Sequence, residues 1–188
     1  MNTYVDANWG GEGGRSVHGF FTLAWGAPVS WSSKRQSCVA RSTCQAEYMA
    51  LSFGAKDGQW ISSLARQLIP IDPPNLLSDN KSAIAISSDC ATRKNHRHVE
   101  REFHTINELL HLHKVVISWI GTDEQLADVL TKALGWQKLK EFLERAGLKA
   151  SPQILASTGG SSCAGCEEHA PPAHVRLSPG HSTPDPNE

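Results

Sequence analysis

Apolar and polar positions alternate or recur along the chain in a way that predicts most of its elements. Thr3–Asn8 reads as a short strand, Gly10–Gly14 as a turn or flexible loop, and Val17–Trp25 and Val29–Ser33 as two further strands. Gly26, Ala27 and Pro28 are the expected connecting turn, so the three strands suggest an antiparallel meander. Ala46, Met49, Ala50, Phe53, Trp60, Ile61, Leu64 and Leu68 then recur at near-helical spacing. They predict a long helix capped by Ser42 or Thr43 and ended by Pro70, Pro73 and Pro74. Leu76–Asp79 reads as a short buried strand feeding a helix through Ser82–Ile86, and a further helix covers about Val99–His113. Val115–Ile120 is the last expected strand, with helices at about Asp123–Lys132 and Trp136–Arg145 closing the domain. The resulting order, β-β-β-α-β-α-α-β-α-α, implies an α/β fold with a mixed sheet covered by helices.

The periodic pattern stops after Gly147 and Leu148. Residues 149–188 are rich in Ser, Gly and Pro and poor in large apolar side chains, which leaves little to offset the entropy of ordering. The expected organisation is one globular domain, 1–148, and a disordered low-complexity tail, 149–188. Of the 188 residues 39% are hydrophobic and 20% charged, enough for one sizeable core. The N-terminus lacks a signal-peptide stretch and no apolar run is long enough to span a bilayer, so the expected setting is intracellular, cytoplasmic or nuclear, without a membrane partner. Five cysteines are too few and odd in number for a disulfide framework, and reduced thiols are the default.

Charge narrows the chemistry further. Residues 1–148 carry a formal net charge of +1 and residues 149–188 one of −2, so bulk charge offers no general attraction to phosphates. Any nucleic-acid binding must come from a local basic face or from bound metal ions. Four acids stand in apolar surroundings: Asp6 in the first strand, Glu47 on the first turns of the long helix, Asp79 at the end of a strand, and Asp128 in the penultimate helix. A buried carboxylate is costly unless it is paired or bound to metal, and the nearby cations Lys81 and Lys132 are too few to pair all four.

The wording of five blocks, in order, sharpens this picture. They are Tyr4-Val5-Asp6-Ala7-Asn8-Trp9, Ser30-Trp31-Ser32-Ser33-Lys34, Ala46-Glu47-Tyr48-Met49-Ala50-Leu51, Ser78-Asp79-Asn80-Lys81-Ser82-Ala83 and Gln125-Leu126-Ala127-Asp128-Val129-Leu130-Thr131-Lys132. From about Tyr4 to Leu148 the chain closely resembles the ribonuclease H domain of copia-type (Ty/copia) retrotransposons, from the C-terminal part of a Pol polyprotein. Arg97-His98-Val99-Glu100 and Phe103-His104 resemble a further stretch of that family. The resemblance implies a ribonuclease H-like fold, a five-stranded mixed sheet flanked by helices, and endonucleolytic hydrolysis of the RNA strand of RNA–DNA hybrids. Asp6 matches the family's first-strand aspartate, Glu47 its helix glutamate, Asp79 the aspartate preceding Asn, and Asp128 the aspartate of the Ala-Asp-x-Leu-Thr-Lys block. Asn8, Gln45 and Ala133 depart from the family's common aspartate, glutamate and proline, and none is one of the four acids.

Elementary chemistry agrees with those ligands, because hard Mg²⁺ prefers carboxylates and water, and residues 1–148 hold no Cys/His cluster with zinc spacing. Two Mg²⁺ ions, with Mn²⁺ as a substitute, can between them activate the attacking water and stabilise the leaving 3′ oxygen. Asn80, Lys34, Arg35, Arg97, His98 and His104 are the candidate substrate-binding residues, and hybrid selectivity would rest on 2′-hydroxyls and groove shape. The family context implies a reverse transcriptase domain as partner in a parent polyprotein. A chain opening at Met1 just before the first strand reads as a fragment or relic of such a polyprotein, so the alternative is a catalytically silent domain that binds nucleic acid or protein. Two weaker signals have bland defaults. Cys163, Cys166, His169 and His174 have zinc-like composition but a short middle spacing and no apolar core around them. The six tryptophans are expected as core and boundary residues rather than base-stacking platforms.

Overall fold

The computed structural model describes residues 1–88 and 100–148, all within a compact unit of Met1–Ala150. The expected tail from residue 149, with Cys163, Cys166, His169 and His174, lies outside the described residues, as do Arg97 and His98. The elements are β1 (Asn2–Asn8), β2 (Val17–Ala24), β3 (Ala27–Arg35), α1 (Thr43–Ala65), β4 (Asn75–Ser78), α2 (Lys81–Ser88), α3 (Glu100–His111), β5 (Val116–Trp119), α4 (Asp128–Thr131) and α5 (Trp136–Arg145). They build one mixed five-stranded sheet in the order β3-β2-β1-β4-β5. β1, β2 and β3 pair antiparallel, whereas β4 runs parallel to both β1 and β5. The fold class is the expected α/β arrangement. Among the described residues no helix is long and apolar enough to cross a membrane.

Strand alternation distributes the side chains to two cores. Val5, Ala7 and Phe20 face one way and pack with Ala46, Leu51, Ala83, Ile106 and Leu109 of α1, α2 and α3. Tyr4, Phe21 and Leu23 face the other way, against Leu126, Leu130, Phe142 and Ala146. Phe21 and Phe142 meet edge to face with ring centroids 5.1 Å apart, which seats α5 on the sheet. Helix α1 lies close on β1 because Gly54 is there. A Cβ at that position would stand 2.6 Å from Val5 Cγ2, well inside contact distance.

Three expectations need correction. The β2–β3 connection is a two-residue turn, Trp25-Gly26, with φ of 52° and 79°, rather than Gly26-Ala27-Pro28. Positive φ at both positions matches the right-handed twist of the flanking strands, and Pro28 is tolerated because β3 is an edge strand with a register shift opposite Thr22 and Leu23. The expected helix over Asp123–Lys132 is broken into a 3₁₀ turn at Thr122–Glu124 and the single turn α4. The cause is Gln125, whose buried amide is spent on tertiary bonds: Nε2 donates to the Val5 carbonyl at 2.9 Å and to the Leu77 carbonyl at 3.5 Å, and Oε1 accepts from the Ala127 N–H. All six tryptophans are exposed, from 41% at Trp136 to 69% at Trp25. The cores are filled mostly by Ala, Leu, Val and Phe, and the indoles sit on turns, at the end of β5, on the middle of edge strand β3 and on helices α1 and α5.

Candidate metal centre

The centre is assembled where the C-terminal ends of β1 and β4 meet the first turns of α1. The start of α1 is set by a double cap. The Ser42 hydroxyl accepts the Gln45 N–H at 3.2 Å, and the Gln45 side-chain oxygen accepts the Arg41 N–H at 2.8 Å. Gln45, one of the departures from the family pattern, thus fixes the helix end that presents Glu47. The β-alternation turns Asp6 away from Val5 and Ala7 and toward α4. Gly19, opposite Asp6 on β2, lets α4 dock there, since a Cβ at Gly19 would lie 2.8 Å from Leu130 Cβ and 3.0 Å from Thr131 Cγ2. The Thr131 hydroxyl accordingly donates to Asp6 Oδ2 across 125 positions of sequence. Asp79 follows β4 directly. The Thr122 hydroxyl donates to its Oδ2 at 2.9 Å, and the Trp119 indole N–H donates to its main-chain carbonyl at 3.1 Å.

These constraints bring one carboxylate oxygen each from Asp6, Glu47 and Asp79 within 4.8 Å of one another. Asp6 is 1% and Glu47 4% exposed. Burial is the main cause that pushes Glu47 up to about 9, reinforced by the charges of Asp6 and Asp79 and only partly opposed by Lys132 and the Ala7 N–H. Burial likewise raises Asp6, against the Thr131 hydrogen bond and the Lys132 charge, which act to lower it. Glu47 Oε2 is buried and has no hydrogen-bond partner. An orphaned oxygen in a group of converging acids is a costly arrangement that a divalent cation would relieve, and an all-oxygen donor set suits a hard ion such as Mg²⁺. The residues present therefore fit a metal ion.

The remaining expected site residues are distributed unevenly. Asp128 stands apart from the three-acid group at the start of α4, where its Oδ1 is 2.8 Å from Lys132 Nζ. That ammonium also lies 3.5 Å from Asp6 Oδ1, so Lys132 bridges the two aspartates. Burial works against the Lys132 charge, but the aspartates outweigh it and raise its pKa. Asn80 lines the same cleft, and its Oδ1 caps α2 by accepting the Ala83 N–H at 3.0 Å. Lys34 and Arg35 lie at the end of edge strand β3, two strands from β1, with Lys34 opposite the buried His18. His104 belongs to α3, and its side chain is outside the described residues.

The structure also brings to the cleft residues that were not counted among the expected site residues. Trp9 lines it with its indole N–H fixed on the Ala40 carbonyl at 2.9 Å. Lys81 lines it as well, its ammonium 4.5 Å from the centroid of the Trp119 ring. Thr131 and Lys132 stand in the same sequence block as Asp128, which is the signal that could have found them.

No family model matches the chain. It is 30% identical over 156 residues, 81% of its length, to the retrovirus-related Pol polyprotein from transposon RE1 of Arabidopsis thaliana, and spans about 11% of that relative. The Pol polyprotein from transposon TNT 1-94 of Nicotiana tabacum is 29% identical over 154 residues, 80% of this chain and 12% of the relative. Among solved structures, the N-terminal RNase H domain of rv2228c from Mycobacterium tuberculosis matches with a TM-score of 0.51 at 15% identity, covering 77% of this chain and 96% of that one. The chain is a homologue of one segment of the retrovirus-related Pol polyproteins of copia-type transposons, and its own fold is that of a ribonuclease H domain.

Proposed function

We propose that the chain is a retrotransposon-derived ribonuclease H that hydrolyses the RNA strand of RNA–DNA hybrids with Mg²⁺. The observation that carries the reading is the buried, unpartnered Glu47 oxygen within reach of Asp6 and Asp79. These three carboxylates would hold a divalent ion, with Asp128 contributing from beside Asp6 to a second. Bound ions would supply Lewis-acid polarisation of the scissile phosphate and of the water that attacks it.

The chain's own residues supply position. Thr131 fixes the rotamer of Asp6 and Thr122 that of Asp79, so two of the three ligands are held before any ion binds. Lys81 and Lys132, at the cleft, offer cations to the phosphates of a bound strand. Attack of water on phosphorus breaks the bond to the 3′ oxygen and leaves a 5′-phosphate and a 3′-hydroxyl. A reverse transcriptase domain of the same polyprotein is the expected partner, and the chain's span of about 11% of its relative leaves room for one.

The test is cleavage of a 5′-labelled RNA strand by the purified chain, presented in a hybrid, in duplex RNA and alone. The expected result is Mg²⁺-dependent cutting of the hybrid, blocked by EDTA. Hybrid binding without cutting at any Mg²⁺ or Mn²⁺ concentration would favour the silent binding domain instead.

A further inference from the structure

The Lys132 ammonium occupies a definite place. It stands 2.8 Å from Asp128 Oδ1 and 3.5 Å from Asp6 Oδ1. Asp6 thereby has both oxygens engaged, Oδ2 by the Thr131 hydroxyl and Oδ1 by Lys132. Glu47 Oε2 has no partner. The two sides of the acid group are thus unequal before any ion arrives. On the Glu47–Asp79 side a cation meets an uncompensated oxygen. On the Asp128 side it meets a carboxylate pair that already shares a positive charge. Lys132 is 39% exposed, so its flexible stem can swing the ammonium into solvent or onto a phosphate.

We propose that Lys132 is a built-in counter-ion that reserves the Asp6–Asp128 side of the centre. Loading is then ordered, one ion entering at Asp6, Glu47 and Asp79, and a second using Asp128 only when Lys132 is displaced. This inference rests on the metal-binding reading above and adds to it that the two affinities are set apart by one side chain. A lysine is suited to the task. An ammonium satisfies two carboxylates as a compact point charge, yet it is strongly hydrated and leaves at modest cost when a divalent ion or a phosphate competes.

The experiment is calorimetric titration of the full chain with Mn²⁺ alone, in wild type, Lys132→Gln and Lys132→Arg, with circular dichroism melts to confirm that each is folded. Wild type is expected to bind one ion and then a second at least about tenfold more weakly, equivalent to about 1.4 kcal/mol. Lys132→Gln is expected to tighten the second site about tenfold or more and to change the first much less. Lys132→Arg, which keeps the charge, is expected to keep the second site weak. Adding Asp128→Asn to Lys132→Gln is expected to remove the gain. If both sites tighten equally, the effect is general electrostatics and the inference fails. If the second site is unchanged or weaker in Lys132→Gln, it fails as well, while the metal reading stands. Wild type that binds no Mn²⁺ overturns both.

Discussion

Replacing Glu47 by Gln should stabilise the metal-free protein while removing most of its response to Mg²⁺. In the folded chain Glu47 titrates at about 9, against 4.5 for a solvated glutamate. A folded value raised in this way leaves stability fully present below about pH 4.5 and lost as pH rises through about 9. At pH 7 the unfolded chain is ionised at this position and the folded chain is not, so holding that proton costs the native state about 3 kcal/mol, at about 1.36 kcal/mol per pH unit. Glutamine carries no such proton. Its carbonyl can still accept the Ala7 N–H, and its amide offers donors toward Asp6 and Asp79. With a sensitivity of about 2–4 °C per kcal/mol for a domain of this size, Glu47→Gln should melt about 6–12 °C higher than wild type at pH 7 in EDTA. At pH 5 the advantage should shrink below about 1 kcal/mol, because that pH lies only about half a unit above the unfolded value of 4.5. Saturating Mg²⁺ should raise the melting temperature of wild type and leave the variant nearly unmoved, since only an ionised ligand set binds the ion tightly. Thermal melts at the two pH values, with EDTA and with Mg²⁺, measure all of this. A variant that melts below wild type in EDTA at pH 7, or whose advantage does not depend on pH, would refute the reasoning.

Three further outcomes follow from the same geometry. Asp79→Asn keeps the shape that accepts the Thr122 hydroxyl but removes a ligand charge, so melting in EDTA should be unchanged or higher while hybrid cleavage is lost, as read on a labelled strand. Gly19→Ala forces Leu130 and Thr131 away from β2, costing about 1–3 kcal/mol by overpacking, and cleavage measured well below the melting temperature should fall by more than the loss of folded protein. Truncation after Ala150 keeps the whole compact unit Met1–Ala150 and should leave the melting temperature nearly unchanged.

Much of this fold was legible because local and tertiary signals agreed. The meander, the Ser42 cap and the amphipathic spacing of α1 each have a local cause, and the structure follows them within a few residues. The misreadings have tertiary causes. The segment from Asp123 has helical composition, but Gln125 spends its amide on the carbonyls of Val5 and Leu77, and no local rule reveals bonds spanning 120 and 48 positions. The tryptophans look like core residues by size, yet the space between sheet and helices is filled by Ala46, Ala50, Leu51 and Ala55, which leaves the indoles outside. All four acids were expected together because each sits in a recognisable block, and Asp6, Glu47 and Asp79 do bring one carboxylate oxygen each within 4.8 Å of one another. The bridge that Lys132 makes between Asp128 and Asp6 was not legible, since it depends on a contact between residues 126 positions apart.

The most direct test of the centre is anomalous diffraction from crystals of the chain grown with Mn²⁺. The expected result is a strong peak bounded by Asp6, Glu47 and Asp79, with Glu47 Oε2 as a ligand, and a weaker peak near Asp128 only where Lys132 has moved aside. Density that leaves the three acids without an ion at saturating Mn²⁺, or that places the metal elsewhere on the chain, would contradict it.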